Sequence, residues 1–445
     1  MSALCIGIST LVTIAVLGQS QLGNQDPTAF TKGLTLNLHS TIGGEKISFN
    51  KRITDIGASF DSEGSFICKT PGIYAFSFYG LTEQNSKLWL EMMKNDQLIA
   101  SIFAYTVADY ADAGNAVIVH LNIGDKVYVK AHNNYVHTLY GRTNQIYNTF
   151  TGELLFADNL ELDGGPVGFS AVLTMNVTLS GGSVLNYNKV ITNIGSGYNS
   201  NTGTFTAPIE GTYLFHFHAL SYESSEFWLE LFHDSHYVLG SYGYTGGYYA
   251  DAGNTAVLHL RKGDTVKIKS RPGRSARLYG DDDEYYTTFC GVLLSSIIYG
   301  SGYDLQSEVA FSVGLSHNEH STSKIVFNVV FLNQQNSYST NTGIFTAPVA
   351  GIYAFHYHAL AQRALSEWVE LYHNHVYINS LYAHAVGGYG PGSNSAVLEL
   401  DVGDTVYLTM QNHGSYLYGD SDNNIYCTFS GYLLSPTARH GAVIG

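Results

Sequence analysis

N-T-A-V-L-H-L-R-K-G-D-T-V, residues 254–266, returns with the same skeleton at residues 115–127 and 394–406. Each copy opens on an Asn, runs through alternating residues to a Leu, and then reaches a Gly-Asp pair. A period of two belongs to a strand, whose successive side chains point to opposite faces. In the first copy Val117, Val119 and Leu121 therefore share one face, and Ile118 and His120 share the other. Gly124, Gly263 and Gly403 fall where a tight turn needs a positive backbone φ, which Gly adopts at little cost. The stretch reads as strand, turn, strand.

Other landmarks repeat at the same period. Gly72, Gly211 and Gly351 head the strings G-I-Y-A-F, G-T-Y-L-F and G-I-Y-A-F, spaced 139 and 140 residues apart. Trp89, Trp228 and Trp368, the L-Y-G strings ending at Gly141, Gly280 and Gly419, and the closing strings from Phe150, Phe289 and Phe429 keep that offset. Solenoid repeats run at about 20–50 residues, so a unit near 140 is a domain. Three domains follow, at residues 28–157, 165–297 and 307–437. Within each, short alternating runs are separated by Gly-, Asn- and Asp-rich turns, and no stretch has helical periodicity. The fold class is all-β, three antiparallel sandwiches in tandem.

Composition narrows the function. Charged residues are 13% of the 445, about half the roughly 25% usual in soluble domains. The formal charge of −15 argues against nucleic acid and anionic membrane, which both reward Lys and Arg. An apolar run at residues 4–17 has the length of a secretory leader's core, and Gly18 and Ser20 suit cleavage, so residues 1–20 are expected to be a signal peptide. The competing reading, a membrane anchor, needs a longer run of about 17–20 residues. The protein is thus expected to be secreted and not membrane-spanning. Cys5 would leave with the leader. Cys68, Cys290 and Cys427 remain as one pair and a free thiol, or as three buried thiols, the latter favoured. Asn176-Val177-Thr178 is a glycosylation sequon.

Taken together, these residues resemble the complement C1q globular-head family, a jelly roll related to tumour necrosis factor. The family's opening strand is matched by Gly168-Phe169-Ser170-Ala171, by Ala310-Phe311-Ser312-Val313 and more weakly by Ala29-Phe30-Thr31. Phe66, Phe205 and Phe345 precede the G-x-Y-x-F string by six residues. Lys94-Asn95-Asp96 matches the turn after the Trp strand, and T-F-x-G-x-L-L closes each unit. The resemblance implies a ten-stranded jelly roll that trimerises through one sheet. Three heads on one chain then suggest an intramolecular pseudo-trimer, with beads on a string or a homo-trimer of chains as the alternatives. No Gly-X-Y stem accompanies the heads.

Candidate sites follow. Asp112 and Asp251, in matching A-D-A-G-N strings, lie where the resemblance implies Ca²⁺ near the trimer apex in some family members; the third unit has Gly390-Pro391-Gly392 instead. Asp281, Asp282, Asp283 and Glu284, with Asp420 and Asp422, form acidic loops that suit Ca²⁺ and equally suit solvent. Tyr244, Tyr248 and Tyr249 belong to a Tyr-rich run read as a loop, able to stack on sugars or to anchor a partner. His216 with His218, and His356 with His358, alternate on strands; Ser77 and Tyr79 replace them in the first unit, so they read as packing rather than a threefold metal site. Asp125, Asp264 and Asp404 are turn formers. No catalytic motif is present, and the protein is not expected to be an enzyme. The favoured reading is a secreted recognition protein for microbial or other extracellular surface ligands, including glycans, in innate immunity. The alternatives are a structural matrix protein and a signalling ligand.

Overall fold

The structure is a computed structural model that describes residues 27–40, 44–133, 137–159, 164–244, 247–296, 308–320, 323–384, 387–411 and 416–437. The apolar run at residues 4–17 and most of both interdomain linkers lie outside these. Among the described residues the regular secondary structure is antiparallel strand apart from one 3-10 turn at Gln334–Asn336, with turns and irregular segments between the strands. Each domain is a jelly roll of two facing sheets. In the second domain the inner sheet runs Lys189–Ile194, Gly168–Val172, Thr288–Ser296, Gly211–Leu220, Asp251–Leu260. The outer sheet runs Tyr198–Asn199, Thr204–Thr206, Thr265–Ser270, Glu226–His233, His236–Tyr244.

The recurring sequence strings each have a mechanical reason. First and last strands pair, with Phe30 opposite Gly152, Phe169 opposite Gly291 and Phe311 opposite Gly431. A Cβ on Gly152 would lie 2.5 Å from the Phe30 ring and 2.6 Å from Phe76, so T-F-x-G-x-L-L carries Gly to admit two aromatic rings. The turns of the opening stretch take φ of 88° at Gly124, 96° at Gly263 and 90° at Gly403, as the sequence predicts. Each adjoining Asp ties the turn to the end of the Trp strand. Lys94 Nζ lies 3.3 Å from Asp125 Oδ2, and His233 and His373 Nε2 lie 2.9 Å from Asp264 and Asp404 Oδ2. Cys68, Cys290 and Cys427 are free and buried, one per domain, and burial pushes the Cys290 and Cys427 thiols up to about 12.

The strand at residues 112–121 in the first domain has two buried faces. Val117, Val119 and Leu121 fill their own core, while Ala116 and Ile118 join a cluster with Phe169, Ala171 and Val292 of the second domain. Fully burying Ile118 there contributes about 1.5–3 kcal/mol. Asp251–Leu260 packs likewise on the third domain, and Gly390–Leu400 on the first, so the ring of interfaces closes within one chain. The Asn that opens each copy of the stretch is the clasp. Asn254 is fully buried; its Nδ2 donates to Gly240 O (2.8 Å) and to Tyr426 O of the third domain (2.9 Å). Its Oδ1 accepts from Thr428 Oγ1 at 2.6 Å and from Thr255 N at 2.8 Å. Asn115 bonds in the same way to Tyr286 O and Thr288 of the second domain, and Asn394 to Tyr147 O and Thr149 of the first.

Candidate functional site

Asp112 and Asp251 begin the edge strands that meet at the common axis. Asp251 Oδ1 accepts from Gly114 N of the first domain at 3.1 Å, and Asp112 Oδ1 accepts from Ser393 N of the third at 3.1 Å. Pro391 takes the equivalent place in the third domain and offers no carboxylate. Both Oδ2 atoms are shut off from water and have no hydrogen-bond partner. Burial pushes both carboxyls well above the usual carboxylate range. The bonds from Gly114 and Ser393 oppose the shift, and Asp251 adds to that of Asp112.

These carboxylates line a cavity of about 380 Å³ to which all three domains contribute. Tyr244, Tyr248 and Tyr249 line it too, so two groups of candidates that are far apart in sequence converge on one place. Part of the tyrosine run is strand rather than loop. Tyr242 and Tyr244 complete His236–Tyr244, because Tyr242 packs on Trp228 with centroids 4.2 Å apart. Tyr105 and Tyr110 of the first domain and His384 of the third complete the aromatic wall. The Tyr105 and Tyr248 rings lie 4.1 Å apart, and the Tyr249 ring meets Phe103 edge-on at 5.7 Å. Sequence reasoning missed Tyr105 and His384, although both stand at the repeat position of Tyr244, 139 residues before it and 140 after. Burial lowers the pKa of His384, opposed by Asp109, and neither ring nitrogen has a hydrogen-bond partner.

The remaining acidic candidates lie elsewhere. Asp281 and Glu284 close a tight turn in which Asp281 Oδ1 accepts from Asp283 N at 3.0 Å. Asp282 and Asp283 border a separate groove of about 970 Å³ between the first and second domains, together with Lys94 and Lys189. Asp420 Oδ2 accepts from Asn424 Nδ2 at 2.9 Å, and Asp422 is exposed. Ca²⁺ takes about six to eight oxygens. At the axis two carboxylates are present, each with one oxygen already committed to a backbone N–H, so the donor set does not fit a protein cage for that ion. Among the described residues, the His, Cys, Asp and Glu side chains that come together as three near enough for a shared ion are His233, Asp234 and Asp264. That trio is engaged in holding its turn, since Asp264 Oδ2 accepts from Arg261 N and Asp234 Oδ1 from Thr265 N.

The histidine pairs lie between the second and third domains. His216 Nδ1 is 2.7 Å from Thr255 Oγ1, which is 2.8 Å from His358 Nε2, and the His216 and His356 rings stand edge to face at 4.6 Å. Tyr432 links His356 at 3.3 Å to Glu153 of the first domain, whose buried carboxyl is pushed up to about 7. Asn176 is exposed. Its Oδ1 accepts from Gly280 N at 3.2 Å, as Asn37 and Asn318 do from Gly141 and Gly419.

A family model described as C1q domain matches residues 29–155, 168–294 and 310–434. The chain is 36% identical over 133 residues to human "Complement C1q tumor necrosis factor-related protein 3", covering 29% of this chain and 52% of the relative. The mouse protein of that name aligns with the same identity and coverage. The chain thus spans about half the length of the curated relatives it matches. Among solved structures it is similar to the globular domain of zebrafish complement 1qA protein, with 25% identity and a TM-score of 0.26, over 29% of this chain and 99% of that one. It is also similar to Eiger TNF from S. frugiperda, with 14% identity and a TM-score of 0.26, over 31% and 99%.

Proposed function

Starting from the fact that the chain belongs to the C1q domain family, we propose that it is a secreted, non-catalytic recognition protein for extracellular surface ligands, with microbial glycans the first class to test. One observation supports this above others: strand ends and adjoining loops of three non-identical domains converge on a single tyrosine-walled cavity. Tyr presents large area at low rotamer cost and stacks on sugar rings. Because the three heads differ at Asp112, Asp251 and Pro391, the site is one composite rather than three copies. In this reading the single chain acts alone, and its leader directs it out of the cell.

The test is a glycan and microbial-surface panel with the full chain, with and without chelator. Binding that survives chelation and is weakened by Tyr248→Ala is expected. Tyr248 is 44% exposed, so its removal leaves the fold intact. No binding to any surface in either condition would refute the proposal.

A further inference from the structure

The axial cavity has a chemistry more specific than a general ligand pocket. Its lining brings Asp112 and Asp251 together with Tyr105, Tyr110, Tyr248 and Tyr249. None of its described lining residues is Lys or Arg. Asp251 is 6% exposed, and while its Oδ1 accepts from Gly114 N its Oδ2 has no hydrogen-bond partner, so a nearby positive charge would favour its ionised form. At about 380 Å³ the space is far larger than a bare ion needs. A guest that complements it is cationic to answer the carboxylates, and carries alkyl surface to lie against ring faces, whose quadrupoles attract positive charge.

We propose that this cavity binds a small alkylammonium cation, held among the aromatic rings and near the two carboxyls. The assignment rests on the reading of the axial end as the recognition face, and names the chemical group taken there. Ammonium groups on amino sugars, on polyamines or as quaternary amines share this chemistry. A primary ammonium would combine the attraction of the two nearby carboxyls with that of the rings, and a quaternary one would rely chiefly on the rings.

The experiment is a calorimetric titration of the full chain with butylammonium and, separately, with tetramethylammonium, with sodium chloride matched throughout. Saturable one-site binding of either cation is expected, and the stronger of the two identifies the primary or quaternary source. Asp251→Asn keeps the acceptor for Gly114 N and should weaken binding about tenfold. Tyr248→Ala should weaken it several-fold with an unchanged thermal midpoint. Absence of saturable binding by both cations would overturn the proposal, as would equal affinity in wild type and Asp251→Asn. If neither cation binds while the glycan panel is positive, the ammonium assignment fails and the recognition reading stands; the reverse result separates them in the other direction.

Discussion

Asp251 in the second domain accepts a hydrogen bond from the backbone N–H of Gly114 in the first, at 3.1 Å, across the axis where three edge strands meet. Asp112 repeats the bond one domain on, to Ser393 N, and Pro391 breaks the cycle. A chain of three homologous heads has therefore acquired an axis with two carboxylates and a gap. Burial raises both pKa values above 3.8. A raised carboxyl contributes its stability below the unfolded pKa and loses it as pH rises through the folded one. Asp251→Asn should consequently be more stable than wild type at pH 8 and indistinguishable near pH 3, as read by urea unfolding midpoints.

Glu153 obeys the same sign. Its carboxyl, raised from 4.5 to about 7 by burial with the Tyr432 bond opposing, favours the folded state below pH 4.5 and loses that contribution through pH 7. Glu153→Gln still accepts from Tyr432 OH. It should gain on the order of 2–3 kcal/mol over wild type at pH 8 and nothing at pH 4, measured by chemical denaturation.

The four histidines between the second and third domains act in the opposite direction. Burial lowers His218 and His356 to about 3, and holds His216 and His358 well below 6.5. Their contribution is complete above pH 6.5 and is lost as pH falls toward the folded values, by about 1.4 kcal/mol per pH unit for each proton taken up on unfolding. Their imidazole proton resonances should stay fixed from pH 8 to 5.5 while free histidine in the same sample shifts. Titration of all four near 6.5 would disprove the buried arrangement.

Asn254→Ala would leave Gly240 O, Tyr426 O and Thr428 Oγ1 without their partner inside an interface. The loss should be on the order of 3 kcal/mol, read from the urea midpoint. The exposed Asn201→Ala serves as control and should change stability by less than about 0.5 kcal/mol.

All three interdomain faces are used within one chain, which predicts a solution mass of a single chain, at or below 48.5 kDa, by light scattering. A mass three times larger would show that the heads exchange partners between chains.

Much of this was legible in residues 254–266 and their two copies. Period-two alternation and a Gly-Asp turn are local physics, and a constant offset among Gly72, Trp89, Gly141 and Phe150 fixes three domains without reference to any contact. Local pattern also marked Ile118 as facing away from Val117 and Val119, although not what it faces. Tertiary structure decided the remainder. The Asn that opens each stretch looks like an ordinary strand residue, and its function as a clasp exists only because carbonyls some 170 residues away reach it. Asp112, Asp251 and the tyrosines 244, 248 and 249 carried separate meanings as sequence. They became one cavity because the packing of one edge strand on the next domain's sheet, driven by apolar burial, brings chain-distant strand ends of three domains to a common axis. Sequence determined the repeating unit, since its signals are periodic and near in the chain. The site depended on how unlike copies face one another, and that is settled by the surfaces they bury.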